Sequence, residues 1–309
     1  MHPAFSIVFF TTLAGAAQGL VVALAVAVLS GLAVSGGFLS AALALAGVLL
    51  VAGLGSSFLH LGRPERAWRA MMMWRTSWMS REVLVLPAFI GVVALWWLAL
   101  RTGAGTGTRL LPVAAILGAL LLWYCTAMIY ACMRFIEEWA HPLTIVNYTL
   151  IGLSSGLVLA CALAVLLGEA GMLSATAPWA LAATVAAFVT RVMALRRNAA
   201  LRPKSTLQSA TGIQHPQLVQ KSMGMSAGSF NTREFFHGAS RAVFRGVRWG
   251  FLVFGFAVPA ALLAWGLLGG PAWAWVLALA LQLPGLVAER WFFFAQARHP
   301  QNLYYQSVS

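Results

Sequence analysis

Apolar residues occur in long blocks along this chain, and the polar residues are concentrated in the segments between the blocks. Each block holds roughly 20 residues, enough for a helix to cross a hydrocarbon core of about 30 Å. Gly and Pro residues stand between most blocks, where they favour helix ends and turns. The pattern predicts eight transmembrane helices, at about residues 5–30, 38–60, 82–100, 110–133, 145–167, 174–195, 248–269 and 271–295.

These helices predict an all-α, polytopic integral membrane protein, with residues 1–309 forming a single membrane domain of two four-helix bundles. The composition agrees, since 61% of the residues are hydrophobic, 9% are charged and Asp is missing altogether. A water-soluble fold could not bury this much apolar surface. The first block lacks a basic leading segment and is followed by further blocks, so it is predicted to be a retained helix and not a cleaved signal peptide.

Lys and Arg residues are distributed unequally between the two sides of the predicted membrane. With eight helices, the side that holds both termini carries 18 of these residues and the opposite side carries only Arg101 and Arg109. Cytoplasmic loops are enriched in Lys and Arg, so we expect both termini to lie in the cytoplasm. The basic residues are dispersed over several loops, which argues against nucleic acid as a partner.

Two ionisable residues lie at the cytoplasmic ends of predicted helices, where membrane proteins often place functional groups. His60 ends the second helix and Glu82 begins the third, and an amphipathic segment around Trp68 joins them. A His and a carboxylate at headgroup depth suit the protonation chemistry of a lipid-soluble quinone, with Arg63 or Arg81 holding the carboxylate. The alternative is structural, because a His at a helix C-terminus and a Glu at an N-terminus both complement the helix dipole.

Other polar residues within the apolar blocks are weaker candidates. Gln18 lies in the middle of the first helix, where it either lines the same cavity or forms a hydrogen bond between helices. Tyr130 lies near the cytoplasmic end of the fourth helix. Glu289 and Arg290 are expected to form an ion pair between helices. The Cys and His spacings suit no metal centre, so neither haem nor an iron–sulfur cluster is expected in this chain.

Residues 196–247 form the one long polar segment, which is too short for a stable independent domain. Its aromatic and amide residues favour a cytoplasmic surface that docks a partner protein over a solvated linker. A flap packed on the chain's own helices is the alternative. The docking hypothesis rests on the residues Phe230, Asn231, Arg233, Glu234, Phe235 and His237.

Several motifs resemble the DMSO reductase anchor-subunit family. They are the N-terminal segment at 2–12, the turn at 59–64 with Arg66, Ala67 and Trp68 after it, and Ser80, Arg81 and Glu82. The resemblance implies a bacterial inner-membrane anchor for a molybdopterin catalytic subunit and a four-cluster iron–sulfur subunit. It also implies electron exchange with ubiquinone or menaquinone, in which the positions of His60 and Glu82 are implicated.

Within that family, the segment from Gly228 to His237 is similar to the anchors of cytoplasmically oriented, quinone-dependent sulfite dehydrogenases. The resemblance therefore implies electron flow from sulfite into quinone, with the substrate chemistry in another subunit. A reductase that runs from quinol to DMSO is the alternative within the family. A secondary transporter is the alternative from another class, although transporters place charged residues near the bilayer midplane.

Overall fold

The computed structural model describes residues 1–59, 61–103, 109–202, 206–219 and 237–300, and it is helical throughout these ranges. Eight of its helices are long and apolar enough to span a membrane, which confirms the predicted fold class. The helices are α1 Phe5–Leu29, α2 Gly36–Phe58, α3 Trp78–Thr102, α4 Leu110–Ala131, α5 Pro142–Leu166, α6 Ala170–Ala199, the short α7 Leu207–Thr211, α8 Arg241–Leu267 and α9 Trp273–Ala295.

Three helices extend by four or more residues beyond the apolar blocks that predicted them, because polar residues cap or complement their ends. Ser77 accepts a hydrogen bond from the backbone N–H of Ser80, so α3 begins four residues before Glu82. Ser240 caps α8 through the N–H of Val243. Arg196 and Arg197 occupy the last turn of α6, where positive charge is favourable.

The long polar segment is therefore shorter than predicted. Residues 196–199 belong to α6 and residues 241–247 belong to α8, so both ends of the predicted segment 196–247 are helical. Hydropathy alone missed these turns because their arginines interrupt the apolar pattern.

The helices pack as two groups joined through α1 and α5. Helices α1 to α4 contact one another in a closed ring, as do α5, α6, α8 and α9, and α1 packs along α5. The α1–α5 contact is close because glycines face each other. A Cβ atom on Gly156 would lie 2.1 Å from the carbonyl carbon of Gly19. Small residues at such crossings let two membrane helices approach.

Helix α8 contains a π-helical turn at Val253–Ala257. Gly255 lies in this turn and faces Gly285 of α9, where an added Cβ would come within 2.3 Å of the Gly255 nitrogen. The turn lets α8 and α9 approach each other next to Pro284, which lies inside α9. This contact supports the end of α9 that carries Glu289 and Arg290.

The segment between α2 and α3 lies on the side of the membrane that bears the basic loops. It forms a 3₁₀ helix at Pro64–Met73 in which no residue is buried. Trp68 and Trp74 are more than half exposed, and the guanidinium groups of Arg69 and Arg75 lie 5.5 and 5.4 Å from their rings. The segment is thus amphipathic, as the sequence predicts, but it is wound as a 3₁₀ helix.

Candidate functional site: a buried carboxylate beside two clefts

Glu82 lies in the second turn of α3, and its side chain faces α4. It is 8% exposed, and its carboxylate accepts a short hydrogen bond from the hydroxyl of Thr126. The N-terminus of α3 is instead capped by Ser77. Glu82 therefore links two helices and does not complement the free N–H groups at the start of its own helix.

Thr126 also lines a narrow cleft between α1, α4, α5 and α9, which we call the inner cleft. The polar residues that line the inner cleft are Thr11, Thr12, Gln18, Trp123, Thr126, Tyr148, Ser155 and Arg290. Gln18 lies about 13 residues into α1, or roughly 20 Å from its start, which is near the middle of the bilayer. The inner cleft thus extends from the Glu82–Thr126 pair toward the membrane centre.

Three polar atoms of the inner cleft are buried without a hydrogen-bond partner among the described residues. They are Oε1 of Gln18, the indole Nε1 of Trp123 and the hydroxyl of Tyr148. Buried polar atoms in native proteins are usually paired with protein groups, water or a ligand. Gln18 therefore lines the inner cleft. A position beside a cavity is one of the two that the sequence suggested for it. Trp123 was missed because a Trp in an apolar block has no sequence signal of its own.

Tyr130 lies next to the inner cleft within an aromatic cluster. Its ring stacks on that of Tyr148 with centroids 5.7 Å apart, and it contacts Trp139, Phe293 and Phe294 edge-on. Tyr148 itself lines the cleft, so Tyr130 stands one side chain behind it. This position makes Tyr130 a support for Tyr148.

A buried charge cluster lies beside Tyr148. Glu289 of α9 pairs with Arg191 of α6, with Nε and Oε1 2.6 Å apart, and with Arg290 at 3.0 Å. Arg290 places its guanidinium carbon 4.0 Å from the ring centre of Tyr148. The expected ion pair between helices therefore exists, but it joins Glu289 to Arg191 of α6, because Glu289 and Arg290 lie on the same helix.

A second narrow cleft, the outer cleft, begins at the ends of α4 and α6 and reaches the charge cluster. Its polar lining residues are Glu138, His141, Thr144, Asn147, Tyr148, Arg191, Arg197, Asn198, Glu289 and Arg290. His141 caps α5 by accepting a hydrogen bond from the N–H of Leu143. Burial, together with the neighbouring charge of Arg197, lowers the pKa of His141 below its ordinary value. The imidazole that caps the helix is accordingly neutral near pH 7.

The two arginines expected to hold Glu82 lie elsewhere. Arg81 donates hydrogen bonds to the carbonyls of Trp74 and Arg75 at 2.9 and 2.8 Å, and its guanidinium carbon lies 4.0 Å from the ring centre of Trp78. Arg63 is exposed before the 3₁₀ helix. Arg81 therefore fastens the connecting segment to α3, and the described partner of Glu82 is a hydroxyl. His60 lies outside the described residues.

Most of the predicted docking surface also lies outside the described residues, namely Phe230, Asn231, Arg233, Glu234 and Phe235. His237 is described, and its ring stacks on Phe244 of α8 at 5.1 Å. It also meets Trp291 of α9 edge-on. This end of the segment packs on the chain's own helices, as the flap alternative expects.

Comparisons with known proteins agree with this architecture. Residues 1–220 match the family model described as the DMSO reductase anchor subunit (DmsC). The chain is 45% identical over 326 aligned positions to a sulfite dehydrogenase subunit of Allochromatium vinosum, with all of both chains covered. It is 29% identical over 119 residues to the anaerobic dimethyl sulfoxide reductase chain YnfH of Escherichia coli, covering 38% of this chain and 41% of that one. The chain therefore belongs to the DMSO reductase anchor-subunit family and is a polytopic membrane anchor of a multi-subunit oxidoreductase.

Proposed function

We propose that this anchor also binds a quinone and passes to it electrons that originate from sulfite. In this scheme a molybdopterin subunit oxidises sulfite, and a four-cluster iron–sulfur subunit delivers the electrons to the membrane. The observation that carries the proposal is the Glu82–Thr126 pair, a buried carboxylate at the head of a cleft in which polar atoms of Gln18 and Trp123 lack partners among the described residues. Ionisable groups so placed in membrane proteins usually serve function.

The side chains of the inner cleft suit a quinone ring. The indole N–H of Trp123 can donate a hydrogen bond to a quinone carbonyl oxygen, and Oε1 of Gln18 can accept one from a hydroxyl of the reduced quinol. Both groups are buried among apolar residues such as Phe10 and Leu286. Glu82 holds or releases a proton at its carboxylate next to Thr126. The cleft is narrow, so we expect ring binding to require small side-chain movements. A bound quinone would supply two-electron redox chemistry that no side chain of this chain provides.

Sulfite is proposed as the electron source because of the full-length similarity to a sulfite dehydrogenase subunit. The partial match to a dimethyl sulfoxide reductase chain favours the alternative, in which quinol is oxidised at the same site. The two functions differ in the direction of electron flow. Sulfite-dependent quinone reduction by the purified complex supports the first, whereas quinol-dependent reduction of DMSO supports the second.

The buried ions Arg191, Glu289 and Arg290 are the observation that favours a transporter. Both arginines pair with Glu289, and Arg290 lies five residues before the end of α9, roughly 8 Å from it. Charges that bind a transported ion are instead expected near the midplane, at broken helices. Membrane vesicles that accumulate a solute through this chain alone would favour the transporter.

The orientation of the chain in the membrane is likewise a proposal. Arg191 and Arg290 are buried within helices, so they do not report on loop location. Without them the split is 16 to 2. This split still favours cytoplasmic termini. A reporter inserted near Lys221 should be cytoplasmic and one at Gly105 periplasmic, and the reverse result would contradict the orientation.

The quinone role is tested in the complete complex of three subunits with Glu82→Gln and His60→Ala. Each variant should lower sulfite-dependent quinone reduction at least about tenfold, or roughly 1.4 kcal/mol in activation free energy. Reduction of an artificial acceptor by the molybdopterin subunit should not change. Glu65→Gln is the matched control, because Glu65 is an exposed carboxylate in the segment between His60 and Glu82. Parental quinone turnover in Glu82→Gln would contradict the proposal.

A further inference from the structure

The inner and outer clefts meet at two residues. Tyr148 of α5 and Arg290 of α9 line both clefts, and the guanidinium of Arg290 lies over the ring of Tyr148. The outer cleft begins at the ends of α4 and α6, on the side with the basic loops, and the inner cleft ends at Thr126. Together they run from the basic side of the membrane to the partner of Glu82.

Polar side chains line the two clefts along their length. Asn147, one-and-a-half turns into α5, is 6% exposed and accepts a hydrogen bond from Thr190 at 2.9 Å. Glu289 lies next along the outer cleft, and Thr126 donates to Glu82 at the far end. The outer and inner clefts have volumes of about 10 and 20 Å³, which is room for about one ordered water molecule each. Chains of water and side-chain hydroxyls or carboxylates conduct protons.

The charges along the course are also balanced. Arg191 and Arg290 carry two positive charges and Glu289 carries one negative charge, which leaves one positive charge. An ionised Glu82 supplies the negative charge that cancels it. The ring of Tyr148 stacks on that of Tyr130 and lies against the guanidinium of Arg290. Balanced charge lowers the cost of burying these ions in lipid.

We propose that the two clefts form a single proton route from the basic side of the membrane to Glu82, with Asn147 near its mouth and Tyr148 and Arg290 at its junction. This inference rests on the proposed quinone function. Conversion of one quinone to quinol takes two electrons from the iron–sulfur partner and two protons from water, and forms two O–H bonds. The route supplies those protons.

Hydroxyl-radical footprinting of the purified complex, without added quinone, tests whether the clefts hold water. Radicals generated from internal water label adjacent aromatic side chains. We expect labelling of Tyr148 and Trp123, although both are at least 95% buried. Trp96 is the control, since it is buried to a similar extent in the apolar core and lines neither cleft. Absence of label on both Tyr148 and Trp123 would overturn the route.

Kinetics test whether the water carries protons. Asn147→Leu removes the polar group from the outer cleft, and Ala194→Leu fills the same cleft from α6. Each should lower quinone reduction by roughly fivefold or more and increase the ratio of the rates in H₂O and D₂O, with artificial-acceptor activity unchanged. Thr190→Val is the matched control, because it removes the hydrogen bond to Asn147 without lining the cleft. It should keep the parental rate and isotope ratio.

The results separate the route from the quinone function itself. If Glu82→Gln slows quinone reduction but both filling variants keep parental rates and isotope ratios, the route is wrong and the quinone function stands. If Glu82→Gln is also without effect, the quinone function is wrong. The use of two filling variants on different helices keeps the test decisive if one of them fails to assemble.

Discussion

The hydroxyl of Thr126 donates a hydrogen bond to the carboxylate of Glu82, joining α4 to α3 at the inner cleft. The charged partner that the sequence suggested, Arg81, is instead engaged with backbone carbonyls. A buried carboxylate that is hydrogen-bonded to one neutral hydroxyl takes up and releases a proton more easily than a carboxylate held in an ion pair. This arrangement suits a group that takes up and gives away protons.

Replacing Thr126 with Val should impair quinone turnover without removing the carboxylate. Valine keeps the shape of threonine but leaves Glu82 without its described partner, which costs about 1 kcal/mol in positioning. We expect quinone reduction to fall by roughly three- to tenfold and artificial-acceptor activity to remain. Thr126→Ser retains the hydroxyl and should stay close to the parental rate. A parental rate in Thr126→Val would show that the hydroxyl does not position Glu82.

Replacing different members of the charge cluster should lower the stability of the complex by different amounts. Glu289→Gln leaves Arg191 and Arg290 buried with no counter-charge, whereas Arg191→Met leaves Glu289 paired with Arg290. Breaking a buried pair costs about 3–5 kcal/mol when an uncompensated charge remains. Thermal unfolding of the detergent-solubilised complex should therefore shift down more for Glu289→Gln. A larger shift for Arg191→Met would contradict the charge balance derived from the cluster.

His141 should make the chain less stable in mild acid. Its neutral Nδ1 caps α5, and its pKa lies below the ordinary value of 6.5 because of burial and Arg197. The cap therefore contributes fully above pH 6.5 and is lost as the pH falls through the folded-state pKa. The unfolding midpoint should fall on acidification from about pH 7 to about pH 5 by the equivalent of about 1 kcal/mol.

The control for this effect is His141→Asn. Asparagine also caps helices but does not titrate, so the variant should lose less stability over the same pH range. Equal acid sensitivity in the two proteins would assign the effect to other groups.

The sequence alone predicts the eight spans, because a bilayer demands about 20 apolar residues per crossing and the blocks supply them. It also singles out Glu82 and Gln18, since polar groups inside apolar blocks are conspicuous. The bounds of α6 and α8 were wrong because arginine near a helix end lowers hydropathy without ending the helix. Arg191 lies inside the predicted span 174–195, but no local pattern showed that it is buried, at 2% exposure, against Glu289.

The partners of these residues depend on packing that no local pattern reports. Thr11 and Thr12 bond to carbonyls of their own helix, as hydroxyls in membrane helices commonly do. Thr126 has the same local surroundings but donates to a residue 44 positions away. The pairing of Arg191 with Glu289 likewise joins α6 to α9. Each pairing joins two helices within one of the two groups and is set by the packing of that group.

Photo-crosslinking with an azido-quinone tests most directly whether a quinone binds beside Glu82. The full complex is illuminated with the probe, digested and mapped by mass spectrometry. The account predicts crosslinks on α1 near Gln18 and on α3 and α4 near Glu82 and Thr126, weakened by an excess of unmodified quinone and by Trp123→Phe. Crosslinks confined to the opposite side of the membrane, such as the turn between α8 and α9, would contradict it.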